Sequence, residues 1–125
     1  MSAKLLVLDD QVQYGRALER ALRREFELVL ATTLSEARVK FTAGIDAVIT
    51  DIRLDESNPN DRQGLEFVAE IRGIHPAIPI IAMSALDDPD LECASLAAGA
   101  TRFMRKPIVI SQLKTLLQEL FQNEC

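Results

Sequence analysis

Five short apolar runs alternate with helical patterns along this chain, and this alternation restricts the fold more than any other feature of the sequence. The runs are rich in Val, Ile and Leu, and they lack the polar alternation of strands that face water on one side. They cover residues 4–8, 27–31, 47–50, 78–84 and 101–104. Five strand–helix units in series predict a parallel sheet with helices on both faces. The expected fold class is therefore α/β, with a single doubly wound sheet of five parallel strands.

Capping residues mark several of the predicted helix ends. Thr33 and Glu36 have the spacing of a capping box. Asp88, which precedes a proline, is typical of an N-cap, and Gly99 is typical of a helix C-terminus. We expect Ser111 to cap the last helix. Its apolar stripe follows helical spacing and consists of Leu113, Leu116, Leu117, Leu120 and Phe121.

The composition excludes several classes of protein. The 125 residues are 48% hydrophobic and include no low-complexity run, which predicts one domain over residues 1–125. The net charge is −5, and no basic cluster is interleaved with aromatic residues, so direct binding of nucleic acid is not expected. Cys93 and Cys125 lie far apart, as a reducing compartment allows. Since no apolar stretch reaches membrane-spanning length, we expect a cytoplasmic protein without a membrane partner.

Reactive side chains lie at the ends of four of the predicted strands. Asp9 and Asp10 follow the first strand and Asp51 the third, while Ser84 ends the fourth and Lys106 follows the fifth. The carboxyl ends of parallel strands share one edge of a sheet, so these groups are expected to converge. Three neighbouring carboxylates repel one another and require a hard cation, for which Mg²⁺ is suited. The alternative, that Asp9 and Asp10 only cap the next helix, leaves Asp51 and Lys106 without a role.

Four fragments resemble the receiver domain of two-component response regulators, and the resemblance runs over essentially the whole chain. They are "LVLDD", "VITDIRL", "IPIIAMSA" and "AAGATRFMRKP". Each fragment alone is common, but all four in order at strand ends form a specific signal. The resemblance implies a flavodoxin-like fold with strand order 2-1-3-4-5, similar to the chemotaxis regulators. It also implies a signalling switch and not an enzyme. Such a switch catalyses only its own phosphorylation and dephosphorylation.

The resemblance also implies a phosphoacceptor and a set of metal ligands. Asp51 would accept a phosphoryl group from a phosphohistidine on a histidine kinase or phosphotransfer protein. Asp10 and Asp51 would bind Mg²⁺ by their side chains, Asp9 through water, and Arg53 through its backbone carbonyl. A downstream effector domain or protein is the second implied partner. Because the sequence ends shortly after the fifth predicted helix, we expect no effector domain within residues 1–125. A homodimer of the phosphorylated form is left open.

Three further residues receive roles from the same resemblance. Lys106 and Ser84 would contact the phosphoryl oxygens, and Ser84 with Phe103 would form the switch that couples phosphorylation to a partner-binding surface. The bond before Pro107 is usually cis in this family, which would direct Lys106 inward.

The segment between Asp51 and Gly64 departs from the family pattern. Its sequence, "IRLDESNPNDRQ", is longer than the usual loop, with an aspartate in place of the usual proline and Gln63 in place of the usual aspartate. A tolerated surface insertion is the favoured interpretation, because lengthening a loop costs little free energy. The alternative is a lid or partner contact that carries three acids, Asp55, Glu56 and Asp61.

Two positions beside the site are expected to tune dephosphorylation. Arg53 is a permanent cation with donor groups only, and Leu86 lacks any hydrogen-bonding side-chain group, so neither can act as a base toward a hydrolytic water. The alternative is that both side chains point to solvent and have no effect. Tyr14 is expected only to pack on the buried face of the first helix.

Three other classes of protein have the same architecture or use similar chemistry. A flavodoxin-like FMN carrier needs aromatic rings and a phosphate loop, whereas this chain has one Tyr, no Trp and a repelling Asp9-Asp10 pair. A metal-dependent phosphatase with an Asp nucleophile favours an Asp-x-Asp motif on its first strand, which is absent here. A degenerate receiver that acts as a phosphate-independent interaction module usually lacks an active-site residue, and none is missing.

Overall fold

The computed structural model describes residues 2–55, 57–58, 60–86 and 88–122. The strands are β1 (Ala3–Leu8), β2 (Phe26–Ala31), β3 (Ala47–Asp51), β4 (Ile80–Ser84) and β5 (Arg102–Arg105). The helices are α1 (Val12–Leu22), α2 (Leu34–Lys40), α3 (Gln63–Ile74), α4 (Pro89–Ala98) and α5 (Ile110–Gln122). All strand pairs are parallel, and the order is β2-β1-β3-β4-β5. The predicted fold class and strand order are confirmed.

The sheet lies between two apolar clusters, one on each face. Successive side chains of a strand point to opposite faces, so Leu5 and Leu6 of β1 belong to different clusters. Leu6 packs in a cluster that includes Phe67 of α3, and Leu5 packs in one that includes Leu18 of α1 and Leu113 of α5. Because both faces are covered, the central strands are apolar at consecutive positions, which explains the unbroken runs in the sequence.

The capping residues lie where the sequence predicts them for α2 and α4. The Thr33 hydroxyl accepts a hydrogen bond from the amide of Glu36 at 3.1 Å, and the Asp88 carboxylate accepts one from the amide of Asp90 at 3.0 Å. Gly99 ends α4 with a φ of 120°, a conformation that disfavours residues with a side chain. Local hydrogen bonding therefore fixes these helix ends.

The predicted bounds of β1, β2, β3 and β5 differ from the structure by one residue at one or both ends, and two further predicted boundaries are also wrong. α5 begins one residue before Ser111, because the carbonyl of Val109 already accepts hydrogen bonds from the amides of Gln112 and Leu113. Ser111 is therefore an exposed residue of the first turn and not the N-cap. β4 begins two residues later than predicted, since Pro79 has no amide proton for the ladder.

The structure also bears on the cysteines and on membrane-spanning segments. Cys93 is a free thiol on the exposed side of α4, and Cys125 lies outside the described residues. Within the described ranges, no helix has both the length and the apolar character that a membrane span requires.

Candidate functional site

The carboxyl edge of the sheet brings together three carboxylates from two neighbouring strand ends. β1 and β3 are paired, so Asp9 and Asp10, which follow β1, lie beside Asp51 at the end of β3. One carboxylate oxygen from each of these three residues lies within 4.8 Å of the other two. Asp9 is 2% exposed and Asp51 is 7% exposed, so both charges lie largely out of water.

Lys106 is a counter-ion of this acidic cluster. Its Nζ donates hydrogen bonds to Oδ2 of Asp9 at 2.7 Å and to Oδ2 of Asp51 at 2.9 Å, and its side chain is 8% exposed. Its backbone amide donates to the carbonyl of Ser84 at 2.9 Å, which fixes the loop after β5 to the end of β4. The Lys106–Pro107 peptide is cis, as expected.

The site holds its charges at a cost in free energy. Burial raises the pKa of Asp51 to about 6, and the nearby charge of Asp9 also raises it, while Lys106 and the donating amide of Arg53 act in the opposite direction. Burial lowers the pKa of Lys106, but its hydrogen bonds and charge interactions with Asp9 and Asp51 outweigh burial and hold that pKa above its ordinary value. The ammonium therefore stays charged, and it does not fully compensate the buried carboxylate of Asp51.

The donor chemistry of the cluster fits Mg²⁺. All three converging groups are carboxylates, which are hard oxygen ligands, and the described part of the chain places no histidine or cysteine among them. One ammonium faces three acids, so a divalent cation would bring the local charge closer to neutral. The residues present thus suit a magnesium ion better than a softer metal.

A pocket of about 80 Å³ adjoins the carboxylate of Asp51. It is lined by Gln11, Asp51, Arg53, Ser84, Ala85, Leu86 and Lys106. The Ser84 hydroxyl accepts a hydrogen bond from the amide of Leu86 at 3.1 Å, and a hydroxyl that accepts can also donate. The volume exceeds that of one water, ~30 Å³, but is far below the ~300 Å³ or more of a site for an organic cofactor. The pocket is therefore suited to a small oxyanion and not to a flavin.

Comparison with known proteins agrees with this geometry. The family model described as "Response regulator receiver domain" matches residues 5–118. The chain belongs to the response regulator receiver family. It is 30% identical over 117 residues to the transcriptional regulatory protein ZraR of Klebsiella oxytoca, covering 92% of this chain and 25% of that protein.

Two further relatives support the assignment. The transcriptional regulatory protein PrrA of Mycobacterium tuberculosis is 30% identical over 124 residues, covering 98% of this chain and 51% of that protein. A receiver domain from Clostridium thermocellum has a TM-score of 0.85 at 26% identity, covering 98% of this chain and 96% of that one. The chain thus spans between a quarter and about half of the length of these curated relatives. The predicted family is confirmed, and the receiver is a component of two-component signal transduction.

Two of the other predicted site residues of the receiver lie at the same pocket, and the third packs against the apolar core. Arg53 and Leu86 are half-buried and are among the residues that line that pocket. Phe103 on β5 is half-buried and packs against the apolar cluster on one face of the sheet. Their effects on dephosphorylation and switching remain predictions.

The long loop of the receiver is held together by Asp61, which is buried. Oδ2 of Asp61 accepts hydrogen bonds from the amides of Leu54 at 2.9 Å and Asp55 at 2.7 Å, and Oδ1 accepts one from the amide of Gln63 at 3.0 Å. Burial alone would raise the pKa of Asp61, but these hydrogen bonds outweigh burial and lower it. Asp61 therefore faces the loop's own backbone, whereas Asp55 is exposed and Glu56 lies outside the described residues.

Sequence reasoning missed the position of Gly64. A Cβ on this residue would lie 1.9 Å from the carbonyl oxygen of Asp51, and the Gly64 amide donates to the carbonyl of Ile52 at 2.9 Å. The start of α3 therefore packs directly against the backbone of Asp51. The glycine at the second position of the helix was the signal, because glycine is the residue that permits a close approach of another group to the backbone.

Sequence reasoning also missed the contacts of Tyr14. Its ring faces the Lys106 ammonium, with Nζ 4.3 Å from the ring centroid, and its hydroxyl accepts a hydrogen bond from the amide of Ile108 at 3.2 Å. No local pattern could have predicted these contacts, since an aromatic residue on a buried helix face is ordinary.

Proposed function

We propose that this receiver is the phosphoacceptor of a two-component phosphorelay, and that Asp51 accepts the phosphoryl group. The observation that carries the proposal is the surroundings of its carboxylate. Asp51 contacts the Lys106 ammonium, adjoins a pocket that holds the Ser84 hydroxyl, and shares an acidic cluster with Asp9 and Asp10. A nucleophile, an ammonium and a hydroxyl around one small cavity suit the transfer of a phosphoryl group.

The transfer is a single displacement at phosphorus. An oxygen of Asp51 forms a bond to phosphorus as the phosphorus–nitrogen bond of the donor phosphohistidine breaks. The imidazole leaves with the electron pair of that bond and takes a proton from water. Lys106 and Ser84 donate hydrogen bonds to the phosphoryl oxygens, where negative charge is concentrated.

Mg²⁺ is the cofactor that the cluster would hold. Asp10 and Asp51 would supply carboxylate oxygens, Asp9 would act through a water, and Arg53 would contribute its backbone carbonyl. When bound, the metal supplies positive charge that offsets the repulsion between the acidic cluster and an incoming phosphoryl group. The work of this chain is to keep its carboxylates together at the pocket and to exclude bulk water from Asp51.

The signal would leave the site through β4 and β5. Ser84 pairs in register with Arg105, and its carbonyl accepts the amide of Lys106, so a shift at Ser84 moves the end of β5. Phe103 lies on the same strand, and Arg102 is exposed beside it. We expect the face around α4 and β5 to change on phosphorylation and to bind the effector.

The cellular role follows from the same proposal. The donor is a histidine kinase or phosphotransfer protein, and the output belongs to an effector domain or protein beyond the single receiver domain of residues 1–125. The curated relatives, of which this chain spans a quarter to about half, are described as regulatory proteins. We expect a cytoplasmic switch that acts only on its own phosphorylation state, without direct binding of nucleic acid by this domain.

Intact-mass measurement after incubation with acetyl phosphate tests the assignment of the acceptor. We expect one added phosphoryl group on the wild type with Mg²⁺, none without a divalent cation, and none on Asp51→Asn. Asp55→Asn is the matched control, because Asp55 lies on the adjacent loop, is exposed, and should leave labelling unchanged.

Three other results would contradict the proposal. Equal labelling of the wild type and Asp51→Asn would exclude this acceptor. No labelling with unchanged binding of a partner would indicate a degenerate receiver, and turnover of a phosphomonoester would indicate a phosphatase.

NMR of the free and beryllofluoride-bound protein tests the switch. The amides of Ser84 and residues 101–105 should shift most, and shifts confined to the metal ligands would indicate a receiver that does not switch.

A further inference from the structure

Tyr14 contacts the segment that carries the site lysine at two separate points. The face of its ring meets the Lys106 ammonium, with Nζ 4.3 Å from the ring centroid. Its hydroxyl accepts a hydrogen bond at 3.2 Å from the backbone amide of Ile108, which lies 94 positions away in the sequence. One side chain of α1 therefore holds both the charged end of Lys106 and the backbone next to it.

The geometry points to Tyr14 as a positioning residue for phosphoryl transfer, which holds the Lys106 ammonium beside Asp51. The inference rests on the proposed function of Asp51. Among the described residues, the ammonium donates hydrogen bonds to the carboxylates of Asp9 and Asp51. Both are engaged during the proposed reaction, one with the metal site and the other as the nucleophile. The ring of Tyr14 belongs to neither group, so its contact with Lys106 persists while those two partners change.

The physical basis is the attraction between a cation and the negative face of an aromatic ring. That attraction is strongest where water is excluded, and the Lys106 side chain is 8% exposed. A lysine side chain is also flexible, so an ammonium without a fixed neighbour samples many positions. A desolvated contact of this kind is large enough to change a rate by about tenfold.

Packing is the competing explanation for Tyr14, because its ring also contacts the apolar cluster beneath α1. A packing role would lower the stability of the fold and would be independent of the charge on residue 106. A positioning role requires that charge. The two explanations are therefore separable by changing Tyr14 and Lys106 together.

The first measurement compares initial rates of labelling by acetyl phosphate with Mg²⁺, followed by intact mass. Tyr14→Leu should be slowed about tenfold, the effect of losing the ring beside a buried cation. Tyr14→Phe keeps the ring and should retain most of the rate. Gln13→Leu is the matched control on the exposed side of α1, and its rate should equal that of the wild type.

The second measurement is a double-mutant cycle with Lys106→Gln. In that background Tyr14→Leu should cause no further slowing, because Tyr14 acts through the ammonium. Equal slowing in both backgrounds would overturn the proposal and indicate packing. Circular dichroism checks that each variant is folded, and Tyr14→Met replaces Tyr14→Leu if the latter is unfolded.

The two proposals fail in different ways. A wild type that takes up no phosphoryl group contradicts the role of Asp51. A wild type that is labelled normally, at the same rate as folded Tyr14→Leu, contradicts only the role of Tyr14.

Discussion

Replacing Asp51 by Asn should stabilise the metal-free protein, although it removes the proposed acceptor. The folded state raises the pKa of Asp51 to about 6, mainly by burial, so the fold favours the protonated form of this group. Asn has the shape of the protonated carboxyl and no charge. Its oxygen can still accept the hydrogen bond from Lys106, so the substitution removes the unfavourable charge with little change in packing.

The magnitude follows from the shift in pKa. The rise from 3.8 to about 6 is roughly two pK units, and each unit is worth about 1.4 kcal/mol. Ionised Asp51 therefore lowers the free energy of unfolding by up to about 3 kcal/mol at neutral pH. Since the folded pKa lies above the unfolded one, the penalty is fully present above pH 6 and disappears as the pH falls below about 4.

Urea unfolding followed by circular dichroism, with a chelator present, measures this difference. We expect Asp51→Asn to exceed the wild type by about 1–3 kcal/mol at neutral pH, with the gain shrinking toward pH 4. Glu119→Gln, on the exposed face of α5, is the control and should show no comparable gain. Added Mg²⁺ should stabilise the wild type more than Asp51→Asn, because the metal relieves the same repulsion. Equal or lower stability of Asp51→Asn in metal-free buffer would refute the reasoning.

Three further predictions concern the surroundings of Asp51. Gly64→Ala should destabilise the fold by about 3 kcal/mol or more in urea unfolding, because the new Cβ would lie 1.9 Å from the Asp51 carbonyl oxygen; a gain, as helix propensity alone predicts, would contradict this packing. Asp61→Asn should lower the free energy of unfolding by about 1–3 kcal/mol at neutral pH, and the loss should vanish as the pH falls through the lowered pKa of Asp61, because the ionised form is the one that the fold stabilises. If the loss of unfolding free energy were the same at acid pH, the shape of the side chain at position 61, and not its charge, would stabilise the loop. Leu86→Glu and Arg53→Asn should each shorten the lifetime of the phosphorylated form after the donor is removed, since each places a group that can orient water at the pocket; unchanged lifetimes in both would leave its control to a separate phosphatase.

The positions of the main site residues were predictable because they depend on a regular rule. Apolar runs predicted the strands, and the parallel order placed Asp9, Asp51 and Ser84 at one edge whatever the details of packing. Helix caps such as Thr33 and Asp88 were predictable for a similar reason, since their hydrogen bonds span only two or three residues. Ser111 was an exception, because a competing local hydrogen bond to Val109 began the helix earlier.

The tertiary structure decided the features that depend on contacts between distant segments. The sequence contains Asp61 as one acid among several in a long loop, and only the folded loop turns its carboxylate onto the amides of Leu54 and Asp55. The sequence pattern predicts only packing for Tyr14, and its contact with Lys106 exists because the segment after β5 packs against α1. Periodicity along a chain fixes which face of an element is buried, but it contains no information about which atoms of another element meet that face. The sequence by itself therefore determined the sheet and its acidic edge, while the packing of loops against helices determined how that edge holds its lysine.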